Sequence, residues 1–308
     1  MSGGRINLVL IPENGMTGPD DCRDIARRIN ARQDRVAASV CLRRHVGLLQ
    51  WRYALRPSLY VAWYEAKRFR PVRGVCRHGL SMSKSRQYRV MEAAGIPVLP
   101  WTPIEPGRRY AVADWGKFAI VKPDVGARGR DVRIRRTGRV RYEKDCAGDV
   151  PHLLQKFAYT GADPVSYRVL TFFGEPLLAH RNENPQSDDV HVRIGGGADG
   201  ELGGYNPVAT SASGRVVLDD DPEILQAAVA VATRAFPDIP VLGIDLVRDA
   251  ASGRVYCLEA NPYGSTWHFS SETGRRMQAA NAIDFQAQFG AFDRAADILI
   301  AQALRLAR

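Results

Sequence analysis

The apolar positions of this chain come mostly in short runs that read as strands, broken by turn residues and by a few stretches with helical spacing. Ile6 to Ile11 is such a run, ahead of the turn-rich Pro-Glu-Asn-Gly. Asp20 to Asn30 then carries Ile25, Ala26 and Ile29 on one helical face, and Val36 to Leu42 and Ser58 to Tyr64 read as further strands. Together these predict a small β-α-β lobe ending near Gly79. Ser81 to Ala94 predicts a helix with Ser81 or Ser83 as its N-cap and Gly95 as its stop. Phe118 to Val132 predicts a strand, a glycine loop and a second strand beginning near Asp131. Pro151 to Ala158, the segment SYRVLTFF from Ser166, and Pro176 to Arg181 supply more strand-like runs. Asn182 to Gly204 holds six glycines among polar residues and reads as a long mobile loop. Asp221 to Ala235 predicts a helix, and Ala291 to Leu306 a final amphipathic helix that packs on the sheet.

The most informative stretch is VLGIDLVRDAASGRVYCLEANPYGSTW, Val241 to Trp267. Two strand-like runs, Val241 to Val247 and Arg254 to Leu258, flank turn chemistry, so a β-hairpin is expected with its turn near Ala251 and Ser252. That register sets Asp245 opposite Glu259. Period-two alternation puts Asn261 on the same face as Glu259. Two carboxylates and an amide then converge with no cation directly beside them in the hairpin, a hard-oxygen set that suits Mg completed by water and phosphate. The bland alternative is a polar surface hairpin.

Composition narrows the setting. A chain of 308 residues can hold two or three lobes, read here as 1–79, 80–157 and 158–308. No stretch of about 18 apolar residues is present, and the first apolar run is too short for a signal peptide, so a cytoplasmic protein without membrane contact is expected. Cys22, Cys41, Cys76, Cys146 and Cys257 form no C-x-x-C pair or zinc spacing and read as reduced structural thiols. The formal charge of +10 is uneven: residues 1–90 carry 18 Lys/Arg against 6 Asp/Glu, and the remainder 25 against 27. A basic first lobe suits an acidic partner, or is a solvated face. Nucleic-acid binding is the minority reading, because no helix-turn-helix, zinc-finger or RNP segment accompanies the charge. Trp51, Tyr53, Trp63 and Tyr64 read as core or lobe-interface aromatics rather than a base-stacking platform.

Other residues carry candidate chemistry. Lys84 lies in the first turn of its helix, where a cation opposes the helix dipole and is either tolerated on the surface or kept for an anion. Lys122-Pro123 leads into a loop with Gly126 and Gly129, whose small residues let backbone N–H groups approach phosphate. It is neither a Walker A loop nor a dinucleotide fingerprint. Gln155, Lys156 and Phe157 end a strand that can offer its backbone to an adenine edge, with Asp163 nearby for a ribose hydroxyl. Arg168 follows on the next strand, and Arg181, His191 and Arg193 flank or lie in the glycine-rich loop.

The order of these parts resembles the ATP-grasp superfamily across roughly residues 80 to 268. The matching pieces are Lys84 in a helix leading to AGIPVLP, VKP-x-x-G-x-x-G at 121–129, LLQKF, SYRVL with Arg168, GIDLVRD and LEANPYG. The resemblance implies a mixed α/β (α+β) ATP-grasp fold with a short Rossmann-like first lobe and ATP held between two α+β lobes. It implies Lys84 and Lys122 on the ATP phosphates, Gly126, Ala127, Arg128 and Gly129 as the loop closing over them, and Gln155, Lys156 and Phe157 at adenine. Asp163 is implied on ribose, and Asp245, Glu259 and Asn261 on two Mg ions, with Mn as a substitute. Arg168, Lys122 and Arg193 are the expected catalytic cations. The implied reaction joins a carboxylate to an amine of an amino acid or peptide through an acyl phosphate, and a homodimer is the family expectation. A kinase, a macrocyclising peptide ligase and an idle scaffold binding an acidic partner are the alternatives. D-alanine:D-alanine ligases carry an Arg two residues before the first metal Asp, where this chain has Gly243. The pattern is nearer to ribosomal-protein glutamate ligases and glutathione-synthetase-like enzymes, while NPYGSTWHF resembles peptide-modifying members. The acceptor surface is expected to join the basic lobe, Arg168, the 182–204 loop and Trp267-His268.

Overall fold

The computed structural model describes residues 5–13, 18–45, 53, 55–126, 131–146, 150–161, 163–184 and 214–307. They form three sheets with helices between and around them. β1 (Ile6–Ile11), β2 (Val36–Val40), β3 (Ser58–Ala62) and β4 (Gly74–His78) make a parallel sheet in the order β2-β1-β3-β4. Helix Pro19–Arg32 makes the crossover from β1 to β2, buries Cys22, Ile25, Ala26 and Ile29, and starts with Pro in its first turn. The expected β-α-β unit is present as a Rossmann-like parallel sheet, with β4 as an added edge strand. β2 and β3 each stop two residues short of the reading from apolar runs.

The second sheet is antiparallel, β5-β8-β6-β7, from Trp101–Pro103, His152–Lys156, Phe118–Pro123 and Arg133–Arg136. Its hairpin returns at Arg133 rather than near Asp131, because Asp131 takes a left-handed backbone at φ 60° and belongs to the turn. Helix Lys84–Ala93 leads into this sheet, and Ser83 is the cap, its Oγ accepting from the Arg86 N–H. Lys84 therefore opens the helix.

The third sheet is antiparallel, β11-β10-β9-β12-β13, from Arg215–Leu218, Glu175–Glu183, Val165–Phe172, Val241–Arg248 and Val255–Asn261. Helix Pro222–Ala230, capped by Asp221, passes into a π-helical turn at Val231–Ala235. The long loop expected over 182–204 is described only as far as Asn184, so its glycines, His191 and Arg193 lie outside the described residues.

One apolar core runs from the first sheet into the third. Leu8 and Leu10 of β1 join Ile25 and Ile29, Leu170 and Phe172 of β9, Leu178 of β10, and Phe292, Ala295 and Leu299 of the last helix, Ala291–Leu306. That helix was expected on a sheet. It packs as well along helix Pro19–Arg32, where Arg28 pairs with Asp293 at 2.7 Å and Arg32 with Asp297 at 3.0 Å. Trp63 and Trp267 sit fully buried at the joint, ring centroids 5.5 Å apart, with Phe172 against both. The aromatic reading of Trp63 as core is what the structure shows. All five cysteines are free thiols, with Cys22, Cys41 and Cys257 buried. No helix among the described residues is long and apolar enough to cross a membrane.

Candidate functional site

The register of the third sheet builds a polar row. His180 on β10 lies opposite Arg168 on β9, Arg168 opposite Asp245 on β12, and Asp245 opposite Glu259 on β13. Residues directly opposite share a face, so four side chains from four strands stand side by side. The expected pairing of Asp245 with Glu259 is present, with a register shift one residue later at Leu246. Arg168 grips Asp245 with two charge-assisted bonds, Nε to Oδ1 at 2.7 Å and Nη2 to Oδ2 at 2.6 Å. Asn261 Nδ2 donates to the same Oδ2 at 3.0 Å. Lys84 Nζ stands 3.3 Å from Glu259 Oε1. The hairpin read alone offered its carboxylates no neighbouring cation; the fold supplies two, because β9 and helix Lys84–Ala93 arrive from distant parts of the chain. Gly243 lies beneath Thr266, where an added Cβ would meet Thr266 Cγ2 at 2.5 Å, so an Arg at this position has no room. A guanidinium comes instead from the neighbouring strand.

The facing wall comes from the second sheet. The Lys84 N–H donates to the Asp124 carbonyl at 2.9 Å, and Ser85 binds the Asp124 carboxylate through N–H at 2.7 Å and Oγ at 2.8 Å. These bonds clamp the start of the helix to the base of the β6-β7 hairpin. Lys84 Nζ also donates to the Gly126 carbonyl at 3.1 Å, so one ammonium joins the hairpin to Glu259. Lys122 is buried beside it, donating to Gln155 Oε1 at 2.8 Å and lying 5.2 Å from the Tyr88 ring centroid. Burial pushes its ammonium down to about 8, against the opposing pull of Glu259. Ala127, Arg128 and Gly129, expected to close over phosphates, lie outside the described residues.

At the end of β8 the Lys156 N–H donates to the Pro100 carbonyl at 2.8 Å. Proline has no N–H to return, so the Lys156 carbonyl on that edge has no ladder partner. Phe157 lies one residue past the strand, and its N–H makes no hydrogen bond among the described residues. An acceptor and a donor of one trans peptide are thus left open on opposite sides of the strand end. The Gln155 side chain instead faces Lys122. Asp163 stands exposed in the connection from β8 to β9.

A third wall comes from the first sheet. Glu13, just past β1, has a buried Oε2 without a hydrogen-bond partner, and burial raises its carboxyl against the influence of Arg43 and the Gly264 N–H. Arg43 lies over the Tyr64 ring, 4.3 Å from its centroid. The Gly264 N–H donates to the Trp63 carbonyl at 2.6 Å, and Gly79 comes so near Pro262 that a Cβ would stand 2.1 Å from its carbonyl oxygen. The loop after Asn261 is therefore seated on the carboxyl ends of the parallel strands, the usual ligand edge of an open α/β sheet. Trp267 and His268 were expected on the acceptor surface. They are buried, Trp267 in the core with its indole donating to Asp21 at 2.8 Å and His268 behind Arg168.

Sequence reading passed over Glu13, Gln87, Tyr88, Asp124 and His180. Only the helical pair had a local signal, since residues 84, 87, 88 and 91 recur on one buried face. Gln87 Oε1 accepts from the Ala260 N–H at 3.0 Å and Tyr88 donates to the Leu258 carbonyl at 2.8 Å, fastening the helix to β13.

Asp245, Glu259 and Asn261 offer two carboxylates and an amide from adjacent strands, a donor set that fits Mg when phosphate and water complete it. Among the described residues no group of three His, Cys, Asp or Glu could hold a metal unaided.

No protein-family model and no curated protein matches the sequence. The fold does have solved counterparts. The structure of ATP-grasp ligase PsnB complexed with minimal precursor superposes with a TM-score of 0.54 and 17% identity, covering 96% of this chain and 99% of that one. PsnB complexed with minimal precursor, Mg and ADP gives 0.51 and 16%, covering 97% and 98%. A RimK domain ATP-grasp protein from Sphaerobacter thermophilus gives 0.50 and 12%, covering 95% and 99%. The chain has the ATP-grasp fold.

Proposed function

We propose that this ATP-grasp chain is an ATP- and Mg-dependent ligase that joins a carboxylate to an amine of an amino acid or peptide. The observation that carries the reading is Lys84 Nζ, which reaches the Gly126 carbonyl of the glycine hairpin and Glu259 of the acidic row together. A phosphate-binding element and a metal-binding element from different sheets meet at one ammonium.

In this reading ATP lies between the second and third sheets. The backbone at Lys156 and Phe157 contacts the adenine, and Lys84 and Lys122 hold phosphate oxygens as point charges. Asp245, Glu259 and Asn261 would hold Mg, which supplies charge neutralisation on the transferring phosphoryl group. The acceptor carboxylate lies in the gap between the Glu13-Arg43 wall and Arg168 and attacks the γ-phosphorus, releasing ADP and forming an acyl phosphate. An amine then displaces inorganic phosphate and gives the amide. The protein contributes placement and charge, as phosphoryl transfer requires little covalent work from side chains. The basic first lobe favours a peptide rich in carboxylates, and one structural counterpart, PsnB, is a ligase complexed with a precursor.

The test is ADP release with Mg-ATP against pooled amino acids and acidic peptides, with mass spectrometry of products. Substrate-dependent ADP and a product lighter than its parts by one water support the ligase. A phosphate mass gain would make it a kinase. Glu259→Gln should reduce turnover by about 100-fold or more while leaving the fold unchanged, and an unimpaired variant would sink the metal assignment.

A further inference from the structure

Behind the acidic row lie buried polar atoms without a hydrogen-bond partner among the described residues. Both ring nitrogens of His180, Nδ1 of His268 and Oδ1 of Asn182 have no partner at full hydrogen-bond geometry, four of the eight such side-chain atoms among the described residues, although the Asn182 side chain lies near enough to act on the His180 imidazole. Their clustering argues against scattered accidents, since buried polar groups are nearly always paired. His180 and Asn182 are two apart on β10 and share its face, opposite Arg168 and Ser166 respectively. His268 comes over the same place from the loop after β13, with Nε2 3.5 Å from Arg168 Nη1, a distance at the outer limit of a hydrogen bond. Phe285 closes the underside, its ring 5.4 Å from that of His180. The guanidinium of Arg168 thus has three polar side chains, His180, Asn182 and His268, on one side and Asp245 on the other.

Its present seat conflicts with the metal. Asp245 accepts Nε and Nη2 of Arg168 on its two oxygens and Asn261 Nδ2 as well. A divalent ion on this carboxylate would face a guanidinium a few ångströms away, and like charges that close in a half-buried site repel strongly. The guanidinium must turn aside. Turned toward β10 it moves about one strand spacing, well within the reach of an arginine, and meets lone pairs on two imidazoles and an amide.

We propose that His180 and His268 are positioning residues, which with Asn182 Oδ1 form a second seat for the Arg168 guanidinium when a divalent ion binds Asp245. The proposal rests on the metal reading above. It gives Arg168 two positions, one that neutralises Asp245 before nucleotide arrives and one that faces the acceptor floor afterwards. The acceptor carboxylate then meets a free guanidinium only once Mg-nucleotide is in place, so nucleotide binds first and raises acceptor affinity.

Mn binding, measured by electron paramagnetic resonance with a non-hydrolysable ATP analogue and no acceptor, tests the seat without turnover. The double variant His180→Leu/His268→Leu should weaken Mn affinity by about tenfold, or roughly 1.4 kcal/mol. The acceptor-keeping pair His180→Gln/His268→Gln should bind Mn like the wild type. Adding Arg168→Gln to the leucine pair should restore affinity, because no guanidinium then needs a place, and restoration also shows that the leucine protein is folded. Wild-type affinity in the leucine pair would overturn the seat, as would failure of Arg168→Gln to restore binding. If the wild type itself bound no Mn with nucleotide, the metal reading would fall and this proposal with it.

Discussion

The first and third sheets are joined by one core, whereas the second sheet keeps a core of its own. Leu8 and Leu10, Phe172, Trp63, Trp267 and Phe292 all belong to a single buried cluster that spans two sheets and four helices. The second sheet encloses a smaller set, Ile104, Tyr110, Ala119, Val121, Val140 and Leu154, with the buried Arg135–Asp145 pair at 2.7 Å beside it. It is tied to the rest mainly through helix Lys84–Ala93, the Val98–Cys257 bridge and Leu153. The polar row stands on the fused block, and the lysine-bearing hairpin on the lightly attached sheet. Under the proposed function, the acidic residues would stand on the fused block and the phosphate-binding lysine of the hairpin on the separately packed sheet.

The largest effect that would break this comparison is at the joint. Trp267→Ala removes a fully buried ring packed on Trp63, Phe172, Phe269 and Phe292, and takes away the indole N–H that Asp21 accepts. The expected cost is about 3–5 kcal/mol, read as one shifted denaturant transition reported equally by probes in the first and third sheets. Two separated transitions would show that the block is not fused.

A smaller loss is expected in the second sheet. Leu154→Ala empties a fully buried position on β8, and because its cluster is small the cost should be near the lower end, about 2–3 kcal/mol. Hydrogen exchange should speed up in β5 to β8 and leave β1, β3, β9 and β12 unchanged. Acceleration throughout the protein would erase the distinction between the two regions.

How far the sequence showed this division depended on whether the signal was local. The β12-β13 hairpin was readable to its register, because turn residues and period-two alternation lie within about twenty residues, and the final helix was readable from its apolar stripe. The pairing of Arg168 with Asp245 was not, since 77 residues separate the partners and only the order of strands brings them together. Trp267 and His268 follow a loop-like NPYGST and read as surface. Their burial is imposed by helix Pro19–Arg32 and the first sheet, through partners such as Asp21 that lie 246 residues away. Glu13 gave no signal at all, its setting being made by Arg43 and Gly264. Local chemistry was legible; long-range charge pairing and tertiary burial were not.

The nucleotide side can be tested through its protons. Burial holds the Lys122 ammonium at about 8, below the ordinary lysine value of 10.5. Phosphates favour the charged form, so above pH 8 binding of ATP should draw in up to about one proton, and affinity should fall by up to about tenfold per pH unit. Near pH 6 the lysine is already charged and no uptake is expected. Calorimetry in two buffers of different ionisation enthalpy reads the uptake, and its absence at pH 9 would place Lys122 away from the phosphates.

The smallest effect concerns what holds the fused block together. Arg28 and Arg32 of the first crossover helix reach Asp293 and Asp297 of the last helix, and these ion pairs are the visible bridge on the surface. A hydrogen bond from Arg28 lowers the Asp293 carboxyl, so any stability it adds is present above the ordinary carboxylate range and lost as pH falls through the depressed value. The pairs are exposed, however, and water and salt screen them. Asp293→Asn with Asp297→Asn should therefore leave the denaturant midpoint in place at about 0.15 M salt, in contrast to Trp267→Ala. A clear drop would move the joint from the apolar core to its charged rim, and the two regions would then differ in surface electrostatics rather than in shared packing.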